Sequence, residues 1–234
     1  MRPWVICFLG GNFSGKSTQA PLLAETLQER LGISYEFLDT RKLIEMKIYP
    51  AGEADDVIIQ LAHGKETSLA RERAIIESGE ANTTEWVADH VVVPEMIPHL
   101  RKDTWLFFPG SPRVQYEGLR FAQVLTDLEE NDVIDGCLVI YVATPKDVCL
   151  DRARRWYSGI TDPEERAKMA YKIENFDDRW SWYEADTKPT FEILESASGL
   201  YVPRITVTDN GTRSIREIQR EVLHKASRAI GISI

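Results

Sequence analysis

Cysteine is scarce: Cys7, Cys137 and Cys149 are the only three in 234 residues, they form no CxxC pair, and they sit in apolar or helical contexts. Three thiols cannot all pair with one another, so a disulfide framework and a zinc site are not expected, and a reducing, cytoplasmic setting is. His63, His90, His99 and His224 show no metal-like spacing. Long hydrophobic runs are missing as well. The first apolar run ends at Gly10, too short for a signal-peptide core or a membrane span, and nothing later approaches transmembrane length. An excess of positive charge is also lacking: Lys+Arg 28 against Asp+Glu 37 leaves a net charge of -9, a surface that repels polyanions. Neither a nucleic-acid nor a membrane partner is expected, and any phosphate site must be local. There is no internal repeat, low-complexity tract or Pro/Gly/Ser-rich linker. With 43% hydrophobic residues the chain can bury a real core, and one domain spanning 1-234, acting as a monomer, is expected.

What is present is an alternation of short apolar runs with segments of helical period, the pattern of a parallel sheet wrapped by helices. Trp4 to Leu9, Tyr35 to Leu38, Trp105 to Phe108, Leu138 to Val142 and Arg204 to Val207 read as five strands. The first helix should begin inside a glycine-rich loop, turn Leu23, Leu27 and Leu31 inward and end at Gly32. Capping boxes predict later helix starts at Asn82 with Glu85, Thr144 with Asp147, Asp162 with Glu165, and Ser214 with Glu217. Residues 41-100 interrupt the alternation with mostly helical pattern (Val57 to Leu61, Ala70 to Glu77, Trp86 to Val93). They read as a helical insertion with Gly52, Gly64 and Gly79 as hinges.

Gly10-Gly11-Asn12-Phe13-Ser14-Gly15-Lys16-Ser17 satisfies GxxxxGK[ST] between a strand and a helix, and Thr18 follows it. Glycines let backbone N–H groups face a phosphate, the helix N-terminus adds positive potential, and Lys16 neutralises the β and γ phosphates. Ser17 would offer its hydroxyl to Mg²⁺. On the helix starting at Asp162, Met169, Ile173, Phe176, Trp180 and Tyr183 form one apolar stripe, and Lys168, Lys172 and Arg179 run beside it as a basic strip. Val148, Arg152 and Arg155 likewise share a face.

Phe8-Leu9-Gly10-Gly11 through Lys16-Ser17-Thr18-Gln19-Ala20 resembles the opening of the adenylate kinase family, and further segments recur in order along nearly the whole chain. Pro109-Gly110-Ser111-Pro112-Arg113 resembles the family's Asp-Gly-Phe-Pro-Arg, whose arginine grips substrate phosphate. Val148-Cys149-Leu150-Asp151-Arg152 is similar to the segment leading into the lid, where an arginine lies over the donor adenine. Arg179, Tyr183, Thr187 and Pro189 match RxxxYxxxTxP. After the second strand, Asp39 and a basic residue at Arg41 or Lys42 remain of the family's acceptor segment. Phe37 and Leu38 replace its small residues, and Pro109 replaces its acidic residue. The glutamine expected after the arginine corresponds to Gln115 or, by spacing, to Glu117.

The resemblance implies a three-layer α/β P-loop fold with five parallel strands, a helical acceptor-binding insertion at 41-100 and a short lid at 153-168. Arg154, Arg155, Tyr157 and Arg166 lie in that lid, in a loop between helices. It implies transfer of the ATP γ-phosphoryl group to a nucleoside monophosphate, with Mg²⁺ accompanying ATP. Donor binding then falls to Gly10 through Thr18 and Arg152, and acceptor binding to Asp39, Arg41, Lys42, Gly110, Arg113, Gln115 and Glu117. The metal falls to Ser17 and Asp39, and charge stabilisation to Lys16, Arg113, Arg152, Arg155 and Arg179. Two other readings fit the same residues. One is a P-loop kinase of a small hydroxylated metabolite with Asp39 as base, and the other is a nucleotide-binding protein without turnover.

Overall fold

The computed structural model describes residues 1-49, 57-78, 80-196 and 203-232, with side chains through 194 in the third stretch. The expected hinges Gly52 and Gly79 lie outside the described residues. A five-stranded, all-parallel sheet forms the centre, built from β1 (Trp4–Leu9), β2 (Ser34–Phe37), β5 (Thr104–Pro109), β6 (Gly136–Ala143) and β7 (Arg204–Thr208) in the order β2-β5-β1-β6-β7. All five expected strands are found with boundaries shifted by at most two residues. The inner strands are apolar on both sides, as a sheet covered by helices requires. Val5, Cys7, Leu9, Leu106, Phe108, Cys137 and Val139 enter one core, and Ile6, Phe8, Trp105, Phe107, Leu138, Ile140 and Val142 enter the other.

Helix α1 (Lys16–Leu31) packs on the second face with α11 (Ile215–Ala229), burying Leu23 and Leu27 against Ile218 and Val222. It ends where expected: Gly32 adopts φ 68° and returns its N–H to the Gln28 carbonyl at 2.9 Å, a left-handed cap that a side chain would strain. On the first face lie α2 (Thr40–Ile48), α3 (Leu69–Glu77), a helical run over 84-99 and α6 (Gln115–Glu130). The chain then runs through α7 (Lys146–Gly159), α8 (Pro163–Glu174), α9 (Phe176–Trp182) and α10 (Lys188–Ser196).

The insertion differs from its expected pattern in one place. Val57 to Leu61 is not helical: Ile58–Gln60 is strand β3, paired antiparallel with β4 (Glu66–Ser68). Three β-branched residues in a row (Val57, Ile58, Ile59) favour extended backbone, and Gly64 at φ 70° serves the turn between the strands instead of a hinge. Two of the expected caps are spent elsewhere. Asn82 donates to the buried Glu72 carboxylate at 3.0 Å, and Thr144 Oγ1 donates to the Ser14 carbonyl at 3.0 Å. In both cases a buried acceptor outcompetes the local helix start. The lid is also not a loop between helices: α7 continues to Gly159 and only 160-162 separate it from α8. Asp162 caps α8 through the Glu165 N–H, and Ser214 with Glu217 forms a complete capping box on α11. Ser214→Ala should therefore cost about 1 kcal/mol of stability, seen as a lower urea midpoint with an unchanged slope.

Candidate active site

The strand order places the site. β1 lies between β5 and β6, with Phe8 opposite Pro109 and Leu9 opposite Tyr141. The loops leaving the carboxyl ends of these neighbours, together with that after β7, therefore meet at one edge, where open α/β sheets bind ligands.

The loop 10-15 turns through three positive φ values, at Gly10 (142°), Phe13 (63°) and Gly15 (103°). A Cβ on Gly10 would stand 2.6 Å from the Val142 carbonyl oxygen, and one on Gly11 2.7 Å from the Trp180 ring, so both positions need glycine for closeness as well. Lys16 Nζ bends back inside the loop and donates to the carbonyls of Gly10 (2.8 Å) and Gly11 (2.7 Å). Burial, reinforced by the nearby Arg113 charge, pushes the Lys16 ammonium down to about 8. Ser17 and Thr18 are exposed on the first turn of α1, beside the free N–H groups of the helix start. Outside the loop, Phe13 stacks on Phe176 (6.5 Å between ring centres) and meets Trp156 edge-on (5.9 Å). The stripe expected on the later helices is formed: Met169, Phe176, Trp180 and Tyr183 are buried together, across a break at Asn175.

Arg113 follows β5, with Nε donating to the Gly110 carbonyl at 3.1 Å and its N–H held by the Glu117 carboxylate at 2.7 Å. The burial of Glu117 raises its pKa, against the opposing hydrogen bond and charge of Arg113. Gly110 also faces Lys16, whose Cε would be 3.9 Å from a Cβ there, so Arg113 and Lys16 converge on one point. Beyond Arg113 opens a cleft of about 640 Å³ between the sheet edge and the insertion. The expected acceptor residues Arg41, Arg113, Gln115 and Glu117 line it, together with Thr40, Lys65, Asn82, Thr83, Glu85 and Trp182, which the sequence reading did not assign to a ligand. The wall at 82-83 is fixed from behind by Glu72, fully buried, which accepts from Thr67 Oγ1 (2.6 Å), Asn82 Nδ2 (3.0 Å) and the Thr83 N–H (3.0 Å).

Asp39 closes β2 level with Pro109 and caps α2, its Oδ1 accepting from the N–H groups of Arg41 (2.8 Å) and Lys42 (3.3 Å). Its Oδ2 has no hydrogen-bond partner among the described residues. Arg41 Nε binds Glu45 one turn along at 2.6 Å, and Lys42 is exposed. Arg179, with its guanidinium pKa lowered by burial and by Arg113, faces the same side as Arg113. Arg155 is exposed on α7, and Arg166 lies 4.4 Å over the Tyr157 ring. Arg152 lies outside the loop, ion-paired to Asp209 at 2.5 Å. The signal that could have singled out Asp209 is its position one residue past the last strand, in an Asp-Asn-Gly turn at the carboxyl edge of the sheet.

No protein-family profile matches the chain. Among solved structures, Kti12 of Chaetomium thermophilum in complex with ADP-AlF3 matches with a TM-score of 0.51 at 14% identity, over 97% of this chain and 98% of that one. A gluconokinase from Sinorhizobium meliloti matches with 0.48 at 16% identity, over 98% and 94%. The Mycobacterium tuberculosis APS kinase CysC in complex with AMPPNP and APS matches with 0.46 at 18% identity, over 97% and 98%. The fold is the three-layer α/β P-loop fold: a five-stranded parallel sheet wrapped by helices, with the glycine-rich loop after its central strand.

The lowered Lys16 value makes a testable statement. Deprotonation through pH 8 removes the cation from the loop, whereas nucleotide phosphates are already ionised there, so affinity for ADP should fall between pH 7 and 9.5. Calorimetric titrations across that range check it, and an ADP affinity that is flat or rising would contradict the assignment.

Proposed function

We propose that this protein transfers the γ-phosphoryl group of ATP to a small, anionic, hydroxylated acceptor bound in the cleft beyond Arg113. The observation that carries this reading is the arrangement of that cleft. Arg113 and Arg41 line it, and Arg113 and Lys16 converge on Gly110, so an acceptor anion would sit beside the donor phosphates. The remaining wall offers hydroxyl, amide and carboxylate groups from Thr40, Asn82, Thr83, Thr84, Gln115 and Glu85, which suit the hydroxyls of a metabolite. A nucleoside monophosphate belongs to this class, and the resemblance to adenylate kinases supports that narrower choice.

Phosphoryl transfer of this kind rests on positioning and charge neutralisation. Lys16 and the amides of the loop would hold the donor, and Arg113 and Arg179 would spread the charge of the group in flight. The donor set suits magnesium, since Ser17 presents a hydroxyl beside the phosphate site and Asp39 keeps one carboxylate oxygen for a water ligand. Bound there with ATP, the ion supplies charge neutralisation on the phosphate oxygens. The two acceptor types part at Asp39. A phosphate acceptor is already a nucleophile and needs no base, whereas a hydroxyl acceptor needs one within reach, and Asp39 is the carboxylate at the neighbouring strand end.

Lys16→Met should lower turnover at least ~100-fold without loss of fold, because it removes charge stabilisation and no core contact. Arg113→Ala should raise the acceptor KM by roughly ten-fold and leave the ATP KM near its original value. ADP release measured over nucleoside monophosphates, sugar phosphates and polyhydroxylated carboxylates tests the acceptor class. ATP binding without acceptor-dependent turnover on any of them would overturn the reading in favour of a non-catalytic nucleotide-binding protein.

A further inference from the structure

Buried Asp209 forms an ion pair with half-buried Arg152; the resemblance gave Arg152 to donor binding and charge stabilisation, and gave Asp209 no role. Asp209 is 1% exposed and lies immediately after β7, its N–H bound to the Ala143 carbonyl at 2.9 Å. Its Oδ1 accepts from the Gly211 N–H at 3.0 Å and its Oδ2 from Arg152 Nη2 at 2.5 Å. Arg152 then reaches the outside of the phosphate loop, with Nη1 3.3 Å from the Ser14 carbonyl oxygen and 3.5 Å from that of Phe13. The Ser14 carbonyl is held a second time by Thr144 Oγ1 at 3.0 Å. In a trans peptide the C=O and N–H point in opposite directions, so a carbonyl held outward aims the next N–H inward. That N–H belongs to Gly15, which has no hydrogen-bond partner among the described residues, whereas the Ser14 N–H is consumed in the turn by the Gly11 carbonyl at 3.2 Å. A guanidinium already neutralised by a buried carboxylate is poorly suited to spreading charge on a transferring phosphate, and well suited to holding backbone.

We propose that Asp209 is a positioning residue for nucleotide binding: through Arg152 it holds the Ser14–Gly15 peptide with its N–H turned toward the donor phosphates. The proposal rests on the ATP-binding reading, but concerns donor affinity alone. It ties the turn after β7 to the phosphate loop on the opposite side of β6, and it assigns Arg152 a place behind the loop instead of over the transferred group.

The test is a double-mutant cycle on ADP affinity by calorimetry, accompanied by thermal midpoints. Asp209→Ala and Arg152→Ala should each weaken ADP binding by roughly ten-fold, the scale of one charge-assisted hydrogen bond. The double variant should be no weaker than Arg152→Ala alone, and Asp209→Asn, whose one amide oxygen can still accept from Arg152 at the expense of the Gly211 N–H, should recover part of the loss. The acceptor KM of Asp209→Ala should remain within about two-fold of the original. Additive losses in the double variant, or unchanged ADP affinity in a folded Asp209→Ala, would overturn the proposal. Should Asp209→Ala fail to fold, Asp209→Asn against Arg152→Lys gives the same cycle. A wild-type protein that does not bind ADP would instead remove the P-loop reading, so the two failures are distinct.

Discussion

A loop that offers its amide N–H groups to a phosphate must find donors for its own carbonyls on other sides, since an unpaired buried carbonyl is costly. The surroundings of residues 10-15 answer that demand. Lys16 satisfies the Gly10 and Gly11 carbonyls from within, and Thr144 and Arg152 satisfy the Ser14 carbonyl from without. The outside donors come from beyond β6, so the β1–β6 register, with Leu9 opposite Tyr141, is what brings them into reach. Trp180 pressed on Gly11 and Phe176 beside Phe13 then close the loop against the helices that follow α7.

Charge is distributed to the same end. The chain as a whole carries -9, yet Lys16, Arg113, Arg179, Lys172 and Arg41 come close enough to act on one another. Burial is the first cause of the lowered values at Lys16, Arg179 and Lys172. Repulsion adds to it: from Arg113 at the first two, and from Arg179 and Arg41 at the third. Among the described residues Arg179 and Lys172 form no ion pair, although the Glu165 charge opposes the shift at Lys172. Cations desolvated together are relieved by an anion, which gives phosphate binding an energetic basis separate from the loop geometry.

The sheet and the glycine-rich loop were legible because both are written in local pattern. Apolar runs of strand length alternate with helical period, and the loop carries its glycines at fixed spacing. The cleft was legible only in part. Arg113, Arg41, Gln115 and Glu117, which the resemblance gave to an acceptor, all line it, but Lys65, Asn82 and Thr83 reach it through the folding of the insertion and Trp182 from the end of α9, which no local period encodes. The hairpin at β3 and β4 was misread because a short apolar run does not by itself distinguish strand from helix, and only its β-branched residues favoured the strand. Asn82 and Thr144 were misread as caps because the acceptors that claim them, Glu72 and the Ser14 carbonyl, lie 10 and 130 residues away in the chain. Asp209 escaped notice for the same reason: its partner is 57 residues distant and the pairing exists only across the sheet.

The central claim is that residues 10-18 hold nucleotide phosphate, with the turn after β7 behind them. Amide hydrogen exchange at saturating ADP tests it directly. Slowed exchange over 10-18 and 209-213, with 82-87 unchanged until an acceptor is added, is the result the account predicts. Unchanged exchange over 10-18 under those conditions would contradict it.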